Sequence, residues 1–158
     1  MKHTISVLVE NKSGVLARVA GLFSGRGYNI DSLNVAETED NTMSRMTIVA
    51  RGDDRILEQI TKQLNKLVDV IKVYDLTSES RVEREIVLIK VSAQAKSRSE
   101  IIQLTDIFRA NIVDISHDSL IIAVTGDEDK VAAMIDMLRP YGIKEVARSG
   151  KVAISRGH

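Results

Sequence analysis

The sequence has no cysteine, no tryptophan and a single proline among its 158 residues. Without cysteine, the chain cannot form disulfides, thiolate metal sites or a nucleophilic thiol. Aromatic residues make up 3% of the chain, too few for the stacking surfaces that bind single-stranded nucleic acids. Neither sign of charge is in excess, because Lys+Arg and Asp+Glu both number 22. We therefore expect no nucleic-acid partner and no anionic membrane partner.

Long hydrophobic runs are also missing. The apolar stretch Ile86–Ile89 is closed by Glu85 and Lys90, and it is far shorter than a membrane span. The N-terminal residues pass directly into an alternating strand pattern, without the apolar region of a signal peptide. The composition that remains, with 44% hydrophobic residues, is typical of a globular protein. We expect it to be cytoplasmic.

Hydrophobic periodicity in the first half switches between the strand and helix repeats. Ile5, Val7 and Val9 alternate with less apolar residues, which predicts a strand, and the spacing after Gly14 predicts a helix. A hairpin turn and a second helix complete the order β-α-β-β-α-β, which is ferredoxin-like. The predicted strands are His3–Glu10, Tyr28–Thr38 with a bulge, Met43–Ala50 and Val68–Leu76; the helices carry Val15, Val19, Leu22 and Phe23, then Ile56, Ile60, Leu64 and Leu67.

The same order recurs after a polar segment, Thr77–Arg84, which we interpret as a linker. Ser97 and Glu100 have the spacing of a capping box, and Asp127 can cap the last helix. We therefore predict an α+β protein with two ferredoxin-like modules in tandem, residues 1–77 and 84–158. The predicted strands are Glu85–Ala93, Asn111–Ser116, Leu120–Thr125 and Ile143–Ile154, the last a strand or hairpin; the helices carry Ile101, Leu104, Ile107 and Phe108, then Val131, Met134, Ile135 and Leu138.

The turn between the first strand and the first helix could bind a small anion. Residues 11–14 precede a helix whose first N–H groups lack intrahelical partners and whose dipole favours negative charge. Gly14 allows a ligand to approach the backbone, and Asn11 and Asn29 offer both donors and acceptors. The same residues fit a plain helix junction, with Asn11 as the cap and Asn29 in a left-handed conformation. Residue chemistry alone leaves both interpretations open.

A longer pattern links this turn to the residues after the helix. The opening of the regulatory (small) subunit of acetohydroxyacid synthase, also called acetolactate synthase, is similar to Asn11, Gly14-Val15-Leu16, Arg18-Val19, Leu22-Phe23, Arg26-Gly27-Tyr28-Asn29-Ile30 and Ser32-Leu33. These residues resemble the ACT-domain motif in a form specific to that family, and they cover the first module. The second module resembles the family in length and layout. Ser13 stands where relatives often have proline, which should loosen the turn without removing a ligand contact.

The resemblance implies a chain with no catalytic residue of its own and no metal site. It would bind the large catalytic subunit, raise its activity and confer feedback inhibition by a branched-chain amino acid, valine, in valine and isoleucine biosynthesis. Thiamine diphosphate, magnesium and FAD are expected on the catalytic subunit, with no cofactor on this chain. The resemblance further implies a homodimer through the ACT domain. The effector would lie between one chain's Asn11, Gly14, Val15 and Leu16 and the other chain's Asn29 and Ile30.

Other kinds of function find less support in the residues. The histidines, His3, His117 and His158, are expected to be solvated rather than catalytic or metal-bound. The acidic groups at 37–40 and 127–129 are explained by turn and cap chemistry. An RNA-binding module could share this fold, but the expected strands lack its aromatic residues. A free-standing ACT-domain sensor that acts on another partner is the remaining alternative.

Overall fold

The computed structural model describes residues 2–157 and follows the predicted order of elements in both halves. Residues 2–82 together with 151–157 form one compact unit, and residues 83–150 form the other. The α+β class and the two tandem ferredoxin-like modules are confirmed. The division differs from the predicted second module, 84–158, in its last residues. There the amide of Arg156 donates to the carbonyl of Ser80 at 3.0 Å, within the first unit.

The first unit is built on an antiparallel sheet with the strand order β2-β3-β1-β4, in which β2 is an edge strand. Ile5, Val7 and Val9 of β1 are at most 1% exposed, because strand alternation turns all three towards the helices. The expected bulge is present in β2, where the register with β3 shifts between Ile30 and Ser32. The elements are β1 (Lys2–Glu10), α1 (Val15–Ser24), β2 (Asn29–Glu37), β3 (Met43–Arg51), α2 (Asp54–Lys66) and β4 (Val70–Asp75).

An aromatic junction fixes the point at which β2 begins. Phe23, at the end of α1, is fully buried and meets the Tyr28 ring edge-on, with 6.2 Å between centroids. The Tyr28 hydroxyl donates to the carbonyl of Asp53, and burial raises the pKa of this phenol. A Cβ at Gly52 would lie 2.7 Å from the Tyr28 ring, so this position requires glycine. The junction therefore holds Asn29, the next residue, at the start of the edge strand.

The second unit repeats the arrangement with a separate core. Its sheet has the order β6-β7-β5-β8. The core is formed by apolar residues of β5 and β7 beneath the two helices. The elements that follow β4 along the chain are β5 (Arg81–Ser92), α3 (Arg98–Ile107), β6 (Asn111–Ile115), β7 (Ser119–Gly126), α4 (Glu128–Leu138), a 3₁₀ turn (Arg139–Tyr141), β8 (Ile143–Arg148) and β9 (Val152–Ser155). Of these, β9 belongs to the residues of the first unit.

Two helices begin with an aspartate cap, of which the sequence predicts the one at Asp127. The carboxylate of Asp53 accepts from the amide of Arg55 at 2.8 Å, and that of Asp127 accepts from the amide of Lys130 at 3.0 Å. Each bond satisfies one of the N–H groups that a helix leaves unpaired at its start. The buried stripe of α2 contains Leu57, at 4% exposure, which the predicted stripe omits.

Three local predictions are wrong. The proposed linker Thr77–Arg84 is only partly a connection, because β5 begins at Arg81 and is extended there by tertiary pairing. Ser97 makes no side-chain cap: its backbone is already helical, and its hydroxyl donates to the carbonyl of Gln94 at 3.4 Å. Ile107 is 73% exposed, since it ends α3 on the side facing away from the core.

Candidate functional site

The turn before α1 is held in place by backbone hydrogen bonds to the neighbouring hairpin. The amide of Asn11 donates to the carbonyl of Thr42 at 2.8 Å. Gly14 is the N-cap residue of α1, with φ +84° and ψ −9°, and no side chain caps the helix there. The amide of Val15 donates to the carbonyl of Lys12 at 3.5 Å, and no side chain accepts from the N–H groups that follow it. Such unpaired N–H groups are the usual basis of anion binding at a helix N-terminus.

The side chain of Asn11 points to the hairpin rather than to the helix. Its amide nitrogen donates to the carbonyl of Asn41 at 3.0 Å and lies 3.4 Å from a carboxylate oxygen of Glu37. The alternative in which Asn11 caps α1 is therefore wrong, since Gly14 occupies the cap position. Asn11 is exposed, and its contacts are ones that a ligand with stronger acceptors could replace.

Glycine is required at position 14 by backbone geometry. The positive φ lies in the left-handed region that side chains with a Cβ rarely adopt. A Cβ at Gly14 would also approach a guanidinium nitrogen of Arg18 to 3.2 Å. Arg18 itself is held by an ion pair with Asp69. The charge beside the turn is thus already partnered, and the backbone surface at Gly14 is open to solvent.

The three apolar residues of the candidate site differ in exposure. Val15 is 3% exposed and belongs to the core of the first unit. Leu16 is 41% exposed and can contact an aliphatic side chain. Ile30 is half-buried and packs against the edge of the core. Val15 therefore has a role in the core, and its predicted contact with the effector stays a prediction.

Asn29 begins the edge strand β2 in an extended conformation. Its amide nitrogen donates to a carboxylate oxygen of Asp31 at 2.6 Å, and Asp31 pairs with Arg51 at 2.9 Å. Among the described non-glycine residues with positive φ only Arg109 occurs, so the expected left-handed conformation of Asn29 is wrong. The side chain is exposed at the edge of the sheet.

One chain does not bring Asn11 and Asn29 together. Asn11 bonds to residue 42, just before β3, whereas Asn29 pairs with Arg51 at the other end of β3. From residue 42 to residue 51 the chain advances nine positions, or roughly 30 Å at about 3.3 Å per residue. A small amino acid cannot span that distance. Each chain therefore carries two separate halves of the predicted site.

Sequence reasoning missed two residues that lie beside the first half. In β2, Leu33 and Val35 pair with the core residues Ile48 and Met46, so they share the helix-covered face of the sheet. Glu37 follows on the same face by strand alternation, in agreement with its contact to Asn11. Val35 is 39% exposed despite its position on that face. The period-2 pattern after the bulge is the signal that could have identified both Val35 and Glu37.

Local charges around the turn are mostly engaged. Lys12 pairs with Glu10 at 2.8 Å, and the hydrogen bond with Glu10 raises the pKa of the Lys12 ammonium. In the hairpin, the Asp40 carboxylate accepts from the hydroxyl of Thr42 at 2.7 Å, which lowers the pKa of Asp40. Asp40 therefore supports the turn, as the sequence pattern predicts.

The histidines and acidic clusters elsewhere do not form an alternative site. His3 is 4% exposed and lies 2.9 Å from a carboxylate oxygen of Asp54, so its expected solvation is wrong. His117 is exposed, and His158 lies outside the described residues. Within residues 2–157, no group of three or more metal-ligating side chains could hold an ion. No helix in that range is long and apolar enough to cross a membrane.

Comparisons with known proteins cover both halves of the chain. Residues 84–157 match the family model described as the small subunit of acetolactate synthase, and residues 5–72 match the model described as the AHAS small subunit-like ACT domain, where AHAS is acetohydroxyacid synthase. A probable acetolactate synthase small subunit from Archaeoglobus fulgidus is 65% identical over 100% of this chain and 99% of its own length. The small subunit from Aquifex aeolicus is 54% identical over 98% of this chain and 81% of its own length.

A solved structure agrees with the fold over its full length. The crystal structure of the acetolactate synthase small subunit from Thermotoga maritima has a TM-score of 0.89 and 46% sequence identity, and the match covers 100% of this chain and 99% of that one. Sequence and structure therefore indicate the same relationship in both modules. The chain belongs to the family of acetolactate synthase small subunits.

Proposed function

We propose that this regulatory subunit forms a two-fold dimer through β2 and binds a branched-chain amino acid, valine, at sites shared between the two chains. Bound valine inhibits the catalytic large subunit, which the chain otherwise activates. Thiamine diphosphate, magnesium and FAD belong to that large subunit, in the cytoplasm. The observation that carries the proposal is the roughly 30 Å between Asn11 and Asn29, estimated from strand geometry, because it leaves each chain with two incomplete half-sites.

The edge position of β2 supports the pairing. Its outer backbone groups have no strand beside them in the described chain, and an edge strand is completed by antiparallel pairing with a second copy. Around a two-fold axis near Leu33, residues equally distant from the axis face each other. Glu37 of one chain then lies beside Asn29 of the partner subunit. At each end of the paired strands, the half-site with Asn11 of one chain therefore meets the half-site with Asn29 of the partner subunit.

The chemistry of the joined site fits an aliphatic amino acid. The open N-terminus of α1 at Gly14 offers backbone donors for a carboxylate, and each charge-assisted hydrogen bond contributes about 1.5–3 kcal/mol. Leu16 of the same chain and Ile30 of the partner subunit supply apolar surface for a short branched side chain. Feedback inhibition then requires valine to bind the inhibited arrangement of the complex more tightly than the active one.

Calorimetry of the full chain with valine tests the binding step. Asn11→Ala should weaken valine binding by about 1.5–3 kcal/mol if its amide contacts the ligand carboxylate, while activation of the catalytic subunit stays intact. Asn65→Ala is the matched control, since Asn65 is exposed and bonds only locally to the carbonyl of Thr61 at 3.2 Å. No binding at millimolar valine would refute the proposal.

Assembly with the catalytic subunit is the second test. Co-purification followed by an activity assay with and without valine separates this function from that of a free-standing sensor, which would bind valine but leave the synthase unchanged. If Asn11→Ala abolished activation and inhibition to the same degree, Asn11 would be a structural residue rather than a ligand contact.

A further inference from the structure

The carboxylate of Glu37 lies beside the proposed site, and the proposed function assigns it no contact with the ligand. Glu37 is the last residue of β2, and its side chain is exposed on the same face of the sheet as α1. Its hydrogen-bond partner is the amide nitrogen of Asn11 at 3.4 Å, which is long for such a contact. An acceptor this weakly engaged is free to bind a stronger donor.

The cations near Glu37 are committed to other acids. Lys12 pairs with Glu10 at 2.8 Å, and Arg18 pairs with Asp69. The negative charge of Glu37 is therefore not neutralised by these neighbours. Asn11 lies three positions before Gly14 in the same turn, and its side chain contacts Glu37. The turn therefore has one region that favours an anion, at the helix N-terminus, and one that favours a cation, at Glu37.

We propose that Glu37 accepts the ammonium group of the effector, and that this contact restricts the site to α-amino acids. The inference rests on the proposed function and names a specificity-determining residue of the same site. The carboxylate of the ligand binds at Gly14, and its ammonium group donates to Glu37 in place of the long Asn11 contact. A carboxylic acid with the same branched side chain but no amino group leaves Glu37 unpaired and binds weakly.

Matched ligands and variants of the full chain test this assignment by calorimetry. The ligands are valine and 3-methylbutanoate, which keeps the branched side chain and the carboxylate but lacks the ammonium group. Glu37→Gln retains the shape of the side chain and removes its charge. It should weaken valine binding roughly ten- to hundredfold, the range of one charge-assisted hydrogen bond, and leave the affinity for 3-methylbutanoate unchanged.

Glu39→Gln is the control, because Glu39 is exposed in the same hairpin two positions further along. This variant should bind valine as the unmodified chain does. Equal valine affinity in Glu37→Gln and the unmodified chain overturns the inference and leaves the proposed function standing. Absence of valine binding in the unmodified chain overturns both. A loss of affinity for both ligands in Glu37→Gln also overturns the inference, because it shows that the substitution damages the site as a whole.

Discussion

Chains that carry Asn11→Ala should regain valine binding when they form dimers with chains that carry Asn29→Ala. In the proposed two-fold dimer, each site takes Asn11 from one chain and Asn29 from the other. A mixed dimer therefore has one site with both substitutions and one site with neither. A homodimer of either variant has one substitution in each of its two sites.

The size of the effect follows from the separation of the half-sites. Since about 30 Å of β3 separates the two asparagines in one chain, a single chain cannot provide both contacts to one valine. Random exchange of equal amounts gives about half mixed dimers, and each has one intact site. About a quarter of all sites should then bind valine with the original affinity, while the others bind roughly tenfold more weakly or worse.

The assay is calorimetry of the two purified variants before and after subunit exchange. Two different affinity tags allow the mixed dimer to be isolated, and the isolated fraction should bind one valine per dimer. Asn111→Ala replaces Asn29→Ala in the control mixture, because Asn111 begins β6 at the equivalent position of the second unit. The control mixed dimer also keeps one intact site, whereas a homodimer of Asn111→Ala keeps two.

An isolated mixed dimer that binds no valine would refute the shared site. That result would mean that Asn11 and Asn29 act on different ligands, or that the chains pair through another edge. Tight binding to each variant alone would refute the assignment of the residues themselves.

Three further predictions concern the framework of the site and the second unit. Gly14→Ala should destabilise the chain by about 1–2 kcal/mol, because its φ of +84° is left-handed; urea unfolding measures the loss. Ile101→Ala should cost about 2–5 kcal/mol, since Ile101 is fully buried, whereas Ile107→Ala should stay within about 0.5 kcal/mol at a 73% exposed site; both are measured by thermal unfolding. Thr42→Val should raise the pKa of Asp40 in an NMR titration, because the hydroxyl of Thr42 is the main cause of its lowered value. With a lowered folded pKa, the contribution of Asp40 to stability is present above the unfolded pKa and is lost as the pH falls through the folded one.

Gly21→Ala provides the control for the turn glycine. Gly21 lies within α1 without a positive φ, and a Cβ there would meet no atom within 4 Å. The substitution should stabilise the chain by about 0.5–1 kcal/mol through helix propensity. If both alanine variants lost stability equally, the left-handed backbone would not be the cause of the loss at Gly14.

The sequence predicts the parts of the fold that depend on local chemistry. The alternation of β1 and the cap at Asp127 are confirmed. These features need only a periodic pattern or a bond between residues close along the chain. The prediction at Ser97 is wrong because the same short pattern also fits a residue that is already helical.

Tertiary contacts decide the features that the sequence does not predict. Arg81 belongs to a strand although its surroundings are polar, because pairing partners from elsewhere in the chain extend β5. The contacts of the candidate site are likewise only partly predictable from the sequence. Asn11 and Gly14 lie in one turn, as local reasoning expects, but the contact of Asn11 with Glu37 depends on which strands are neighbours. Strand order cannot be obtained from the periodicity of a single strand.

A site divided between two chains links effector binding directly to the arrangement of the dimer. Within one chain, the amide of Asn11 is bonded to the hairpin at 2.8 Å and Asn29 follows the buried Tyr28, so the backbone of each half-site is attached to the core of its own unit. A rigid rotation at the paired β2 edges would instead change the distance between Gly14 of one chain and Asn29 of the partner subunit. In the proposed dimer, valine affinity would then depend on the geometry of the interface as well as on the fold of each chain. By reciprocity, a catalytic subunit that prefers one interface geometry must alter valine affinity by the same factor by which valine alters its binding.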